Sequence, residues 1–148
     1  MRCLFVLLFV LQLSSVLNSR NPELRKFIYP TIRKHRKYRK LHSQRRYRWD
    51  SQLTKIAKRW CAHLAAKNKF KHSPNAQNYG ENLYVAIRGG FKRPLKTKEA
   101  VARATRRWWS EIFMYDFDRP SFQKGTGHFT QVTTISFLTF KYQLRFGY

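Results

Sequence analysis

An α+β domain is the fold class that the sequence predicts, and three observations carry it. Apolar residues recur at helical spacing from Leu53 to Ala65, and again from Val101 to Ile112. From Leu138 to Tyr148 they alternate strictly, as a half-buried strand requires. With 148 residues the chain has room for one hydrophobic core and not for two.

The elements follow in order. Residues 1–19 read as a secretory signal: Arg2 supplies a positive start, CLFVLLFVLQL an apolar stretch, and SSVLNS small polar residues before Arg20. That apolar stretch is shorter than the ~20 residues a membrane span needs. Residues 20–30 contain two prolines, Pro22 and Pro30, and are expected to form a leading arm. From Thr31 to Arg48 there are nine Lys or Arg and no acid, with sparse apolar positions, and a short basic helix followed by a turn is expected.

Asp50 is placed to cap the next helix, whose apolar face runs through Leu53, Ile56, Ala57, Trp60, Cys61, Leu64 and Ala65. That helix should fade at Asn68. SPNAQNYG (73–80) is loop by composition, and ENLYVAI is a short strand or extended piece. After the GGFKRP loop, Thr97 opens a helix through Val101, Ala104, Trp108 and Ile112 that ends near Tyr115. Glu111 borders its buried face, where a carboxylate needs a partner. DRPSFQKGTG is loop, and His128 then lies between a glycine turn and a run that alternates like a strand.

Thirty-one Lys and Arg stand against seven Asp and Glu, a formal charge of +24. A field of that size draws a protein to anionic surfaces: lipid headgroups, sulfated glycans or nucleic acid. The basic run supplies the candidate patch Arg33, Lys34, Arg36, Lys37, Arg39, Lys40, Arg45, Arg46 and Arg48. Tyr38 and Tyr47 interleave with it as RNA-stacking residues would, but a secretory signal argues against a specific nucleic-acid partner. Removal of the signal takes Cys3 with it and leaves Cys61 as the sole thiol, so no disulfide framework forms within one chain. Cys61 is expected to pack as a small hydrophobe, with pairing between chains as the alternative.

Five motifs in order carry a resemblance. HRKYRKLH (35–42), RWDSQLTKIAKRWCAHLA, FKHS with YGENL, WWSEIFMYDF and GHFTQV together resemble the CAP superfamily of cysteine-rich secretory proteins, antigen 5 and plant pathogenesis-related proteins. Arg36 stands where that family usually has asparagine, and the usual disulfides are absent, as in its disulfide-poor plant-pathogenesis-related-like branch. The resemblance implies a three-layer α-β-α sandwich with a central antiparallel sheet, occupying 31–148 and divergent or shortened after residue 132. On that resemblance the domain is expected to lack one or more C-terminal strands of the family pattern.

The resemblance also implies a cleft lined by His72, Glu81, Glu111 and His128. His72 and His128 would be ligands for zinc or another divalent metal, with the glutamates orienting the imidazoles or activating water. A plain hydrogen-bond cluster, with Glu81 and Glu111 tying loops to helix ends, is the competing reading of the same four residues. His35, His42 and His63 are given no role, and Trp60, Trp108 and Trp109 are read as packing residues.

Three functions compete. The first is a secreted, non-enzymatic protein that binds an extracellular lipid, sterol, sulfated glycan or protein target. The second is metal-assisted hydrolysis with Glu81 or Glu111 as base. The third is a cationic binder of heparin or anionic membrane, driven by residues 33–48. No motif for Ser-His-Asp catalysis is present, and no feature specifies an oligomeric state.

Overall fold

The computed structural model describes residues 3–8, 22–86 and 95–133. In order it contains strand β1 (Cys3–Leu8) and helices α1 (Pro22–Leu41), α2 (Ser51–Ala66) and α3 (Ala76–Tyr79). Strand β2 (Glu81–Val85), helix α4 (Thr97–Trp109) with a 3-10 extension over Ser110–Met114, and helix α5 (Gly127–Thr133) complete it. The α+β class holds. The described sheet has two strands, with β1 antiparallel to β2 and Val6 opposite Leu83. The three-layer sandwich is a finer expectation of the resemblance, and the alternating stretch 138–148 lies outside the described residues.

Helix α1 is longer than the sequence suggests, because the expected leading arm is part of it. Pro22 occupies the first turn, where a missing amide costs nothing. Pro30 lies inside the helix and withholds one hydrogen bond from the carbonyl four residues back. Packing outweighs that loss: Ile28, Thr31, His35 and Arg39 are spaced three and four apart and are all buried. Helix α1 lies against α4, whose Ala100, Val101, Ala104, Thr105 and Trp108 are buried in turn.

Helix α2 forms as its pattern predicts. The Asp50 carboxylate accepts the Leu53 amide at 2.8 Å, which caps the first turn. Asn68, at φ 48°, turns the chain away after the last turn.

Strand β2 joins two clusters. Leu83 packs with Ala57 and Leu64 of α2, and Leu53, Ile56, Trp60, Cys61 and Tyr79 close around them. Cys61 is half-buried against this cluster, as a packing residue should be. Tyr84, next along the strand and so on its other face, packs against the cluster of Ala104, Trp108 and Val132, as do Phe27 and Tyr38. Trp108, buried to 1%, also donates its indole N–H to the Leu83 carbonyl at 2.9 Å, so α4 is pinned to the strand by a hydrogen bond as well as by area.

The run after Gly127 is a helix and not a strand. Its alternation is too short to select a sheet, and Phe129, Val132 and Thr133 instead fall on one buried helical face. A carboxylate from another element fills the helix's open end, as described next.

Candidate functional site

The loop ahead of α5 is built by Gln123. Its amide oxygen accepts the Asp116 N–H at 2.8 Å, and its amide nitrogen donates to the carbonyls of Asp116 and Arg119. Asp116 also accepts the Arg119 guanidinium and the Asp118 amide, which hold its carboxyl below the usual aspartate range. The loop thus returns the chain to the end of α4 in one defined conformation, and Thr126, fully buried, starts the next helix.

Glu111 meets that helix start. One carboxylate oxygen accepts the backbone amides of His128 (2.8 Å) and Phe129 (3.1 Å). The other accepts His128 Nδ1 at 2.6 Å. The first amides of a helix lack partners of their own, and a carboxylate there satisfies both hydrogen bonding and the helix dipole. Glu111 is therefore a cap supplied from 17 residues upstream, and it orients the His128 ring in the same stroke. Trp108 stacks beside that ring at 6.4 Å.

A second histidine–glutamate pair sits at the head of β2. His72 Nδ1 donates to Glu81 Oε1 at 2.8 Å, and the Ser73 amide donates to the same oxygen at 3.0 Å. The Glu81 side chain is wholly buried, whereas the His72 side chain is 56% exposed. Glu81 Oε2 is buried with no hydrogen-bond partner among the described residues. Asn82, the next residue along the strand, donates to the His128 carbonyl at 3.1 Å and so ties the two pairs together.

Gly80 makes the approach possible. Its φ of 63° suits glycine, and a Cβ there would overlap the Gln131 side chain from α5.

The structure thus brings His72 to Glu81 and His128 to Glu111. Among the described residues no three His, Cys, Asp or Glu side chains gather as a metal-holding group. In each pair Nδ1 is engaged by a carboxylate, which leaves Nε2 as the ring nitrogen open to a ligand; this is the outer-shell arrangement that metal-binding imidazoles use.

The basic patch needs correction. Arg39 is 2% exposed and belongs to the interior. Its Nε donates to the Arg45 carbonyl (2.6 Å), one terminal nitrogen reaches the Val132 carbonyl (3.3 Å), and the guanidinium lies 3.8 Å over the Tyr47 ring. Tyr47 is itself buried and donates to the Gln131 carbonyl at 2.7 Å. Arginine's planar fork suits this triple role, which links α1, the following turn and α5. Lys34 is half-buried, while Arg33, Arg36, Lys37, Lys40, Arg45, Arg46 and Arg48 are exposed as expected.

His35 and His42 are also not idle surface residues. His35 is fully buried, bonded through Nδ1 to the Thr31 carbonyl at 2.9 Å. Burial pushes its pKa down to about 4, and the neighbouring Arg39 charge adds to that. His42 accepts the Trp109 indole N–H at 3.3 Å, and burial lowers its pKa too. The spacing Ile28, Thr31, His35, Arg39 was the available signal, but a polar stripe does not register as a helix's inner face.

Comparison with known proteins agrees with this architecture. The sequence pattern of the "CAP: Cysteine-rich secretory protein family" matches residues 32–135. The chain belongs to the CAP family. Golgi-associated plant pathogenesis-related protein 1 of Homo sapiens is 33% identical over 108 residues, covering 72% of this chain and 64% of that protein. GLIPR1-like protein 1 of Bos taurus is 36% identical over 90 residues, 57% of this chain and 34% of its own. Repressed by EFG1 protein 1 of Candida albicans is 30% identical over 112 residues, 72% of this chain and 35% of its own. The chain therefore spans under two thirds of the length of each of these relatives. Both histidine–glutamate pairs of the CAP domain lie inside the matched region. No helix among the described residues is long and apolar enough to cross a membrane.

Proposed function

We propose that this CAP-domain chain is a non-enzymatic binding protein, exported by its leading apolar segment, which engages an extracellular lipid, sterol or protein target beside His72 and His128. The occupancy of Glu111 and the burial of Glu81 carry this reading. A general base needs a carboxylate oxygen that can reach water or substrate. Both oxygens of Glu111 already hold an imidazole and two helix amides. Glu81 is buried behind His72. Carboxylates in those positions support a scaffold better than they support hydrolysis, and the three-layer sandwich expected of the family would complete that scaffold.

The donor chemistry suits a divalent metal such as zinc, held through Nε2 of His72 and of His128. Bound there, the metal would supply Lewis acidity and an anchoring point for an anionic or carbonyl ligand. What the chain's own residues do is hold each imidazole in one tautomer through its carboxylate.

Titration calorimetry with zinc at neutral pH, on the native chain and on His72→Ala and His128→Ala, tests the metal. Heat that is saturable and lost in both variants supports it, and no heat removes it. Saturable competition with a labelled sterol tests the lipid target. Hydrolytic turnover that disappears in Glu81→Gln or Glu111→Gln, with the fold intact, would overturn the non-enzymatic reading. Export is checked by the N-terminal sequence of the protein recovered from culture medium: the expected start at Arg20 removes β1 with the leader and takes from β2 the strand it pairs with among the described residues, whereas a retained Met1 would keep the β1–β2 pair and overturn export by cleavage.

A further inference from the structure

The outer face of α1 is a rigid cationic stripe, and we propose that it is a docking site for a linear sulfated glycan, independent of the histidine–glutamate pairs. At 100° per residue, Arg33, Arg36, Lys37 and Lys40 fall within a sector of about 100°. That sector is opposite the buried stripe of Ile28, Thr31, His35 and Arg39. All four cations are exposed, and no carboxylate pairs with any of them among the described residues. They repeat about every helical turn, ~5 Å, along a helix whose other side is anchored to α4. The exposed Arg45, Arg46 and Arg48 extend the positive surface past the helix end.

The structure also discriminates among polyanions. A surface for single-stranded nucleic acid stacks bases on exposed aromatic rings. Here the two tyrosines interleaved with the basic run are occupied elsewhere: Tyr38 stacks on Trp109 at 4.8 Å, and Tyr47 lies buried under Arg39. A membrane dock combines cations with apolar side chains that enter the lipid. The most exposed apolar residues, Phe113 and Phe122, belong instead to the segments after α4. Helix α1 exposes two large apolar side chains, Tyr29, whose ring Arg25 covers, and Leu41 at the last turn; between them every exposed residue is a cation, an ordered positive charge that fits a chain of sulfates.

The native chain and two charge-matched variants are passed over immobilised heparin and titrated with heparin oligosaccharide. The first variant carries Arg33→Gln, Arg36→Gln, Lys37→Gln and Lys40→Gln. The second removes four exposed cations from α2 and α4 through Lys55→Gln, Lys58→Gln, Arg59→Gln and Lys98→Gln. The stripe variant should bind about 10- to 100-fold more weakly, the control by no more than about threefold. Desulfated heparin should not bind, and His72→Ala with His128→Ala should bind like the native chain. Equal losses in the two four-site variants would reduce the effect to bulk charge and overturn the proposal. So would tighter binding to an oligonucleotide duplex or to phosphatidylserine vesicles than to heparin. On the native chain, hydrogen exchange should show heparin protecting residues 33–48, and protection elsewhere but not there would also overturn it.

Discussion

Acid should destabilise this protein through His35. The ring is fully buried between the Tyr47 and Trp108 rings, at 5.9 and 6.3 Å, with the Thr31 carbonyl and the Arg39 guanidinium as its other neighbours. In the unfolded chain the imidazole takes up a proton near pH 6.5, whereas in the folded protein it stays neutral until about pH 4. Between those values the unfolded state binds more protons, so stability falls as the pH drops through the window and levels off below it. The loss is about 2 kcal/mol by pH 5 and about 3 kcal/mol by pH 4. Against a typical reserve of ~5–15 kcal/mol this is a large fraction.

Urea denaturation of the native chain and of His35→Phe, at pH 7.5 and pH 5, measures it. Phenylalanine keeps the ring packing and removes the titration. The baseline stability of the variant at pH 7.5 is not the test, since it also carries the lost Thr31 hydrogen bond and the change in packing. The gap between the two should shift in the variant's favour by about 2 kcal/mol on going to pH 5, roughly 1 M in urea midpoint. Parallel pH dependences would refute the assignment of a buried neutral imidazole.

Three further outcomes follow from the geometry. Glu111→Ala strips two amides of α5 and the His128 ring of their acceptor, and should cost about 2–3 kcal/mol by urea midpoint, with hydrogen exchange accelerated first in α5. Arg39→Lys keeps the charge but loses the fork to Arg45 and Val132 and the stacking on Tyr47; it should cost about 2 kcal/mol while leaving heparin retention unchanged. Gly80→Ala sets a Cβ at φ 63° against Gln131, and should lower stability by about 1–2 kcal/mol and loosen α5 from β2, read as a lower melting temperature.

Local periodicity made part of this protein legible in advance. Helix α2, its Asp50 cap and the apolar face of α4 could be read from residue spacing, because i, i+3, i+4 burial is a property of a single element. His72, Glu81, Glu111 and His128 were legible only through motif order, and the pairing of each histidine with its own glutamate was not. Glu111 reaches His128 across a loop that Gln123 shapes, and no spacing rule spans that distance. The run after Gly127 reads as a strand until a carboxylate from elsewhere supplies its helix cap.

The sequence by itself determined the charge, the family and the two strong amphipathic helices, since those depend on composition and on short-range order. Tertiary structure alone decided which of the basic and histidine side chains go inside. Arg39 and His35 are buried because the Thr31, Arg45 and Val132 carbonyls and the Tyr47 and Trp108 rings replace the water they lose. Arg33, Arg36, Lys37 and Lys40, chemically their equals, stay outside because the helix turns them away from that interior.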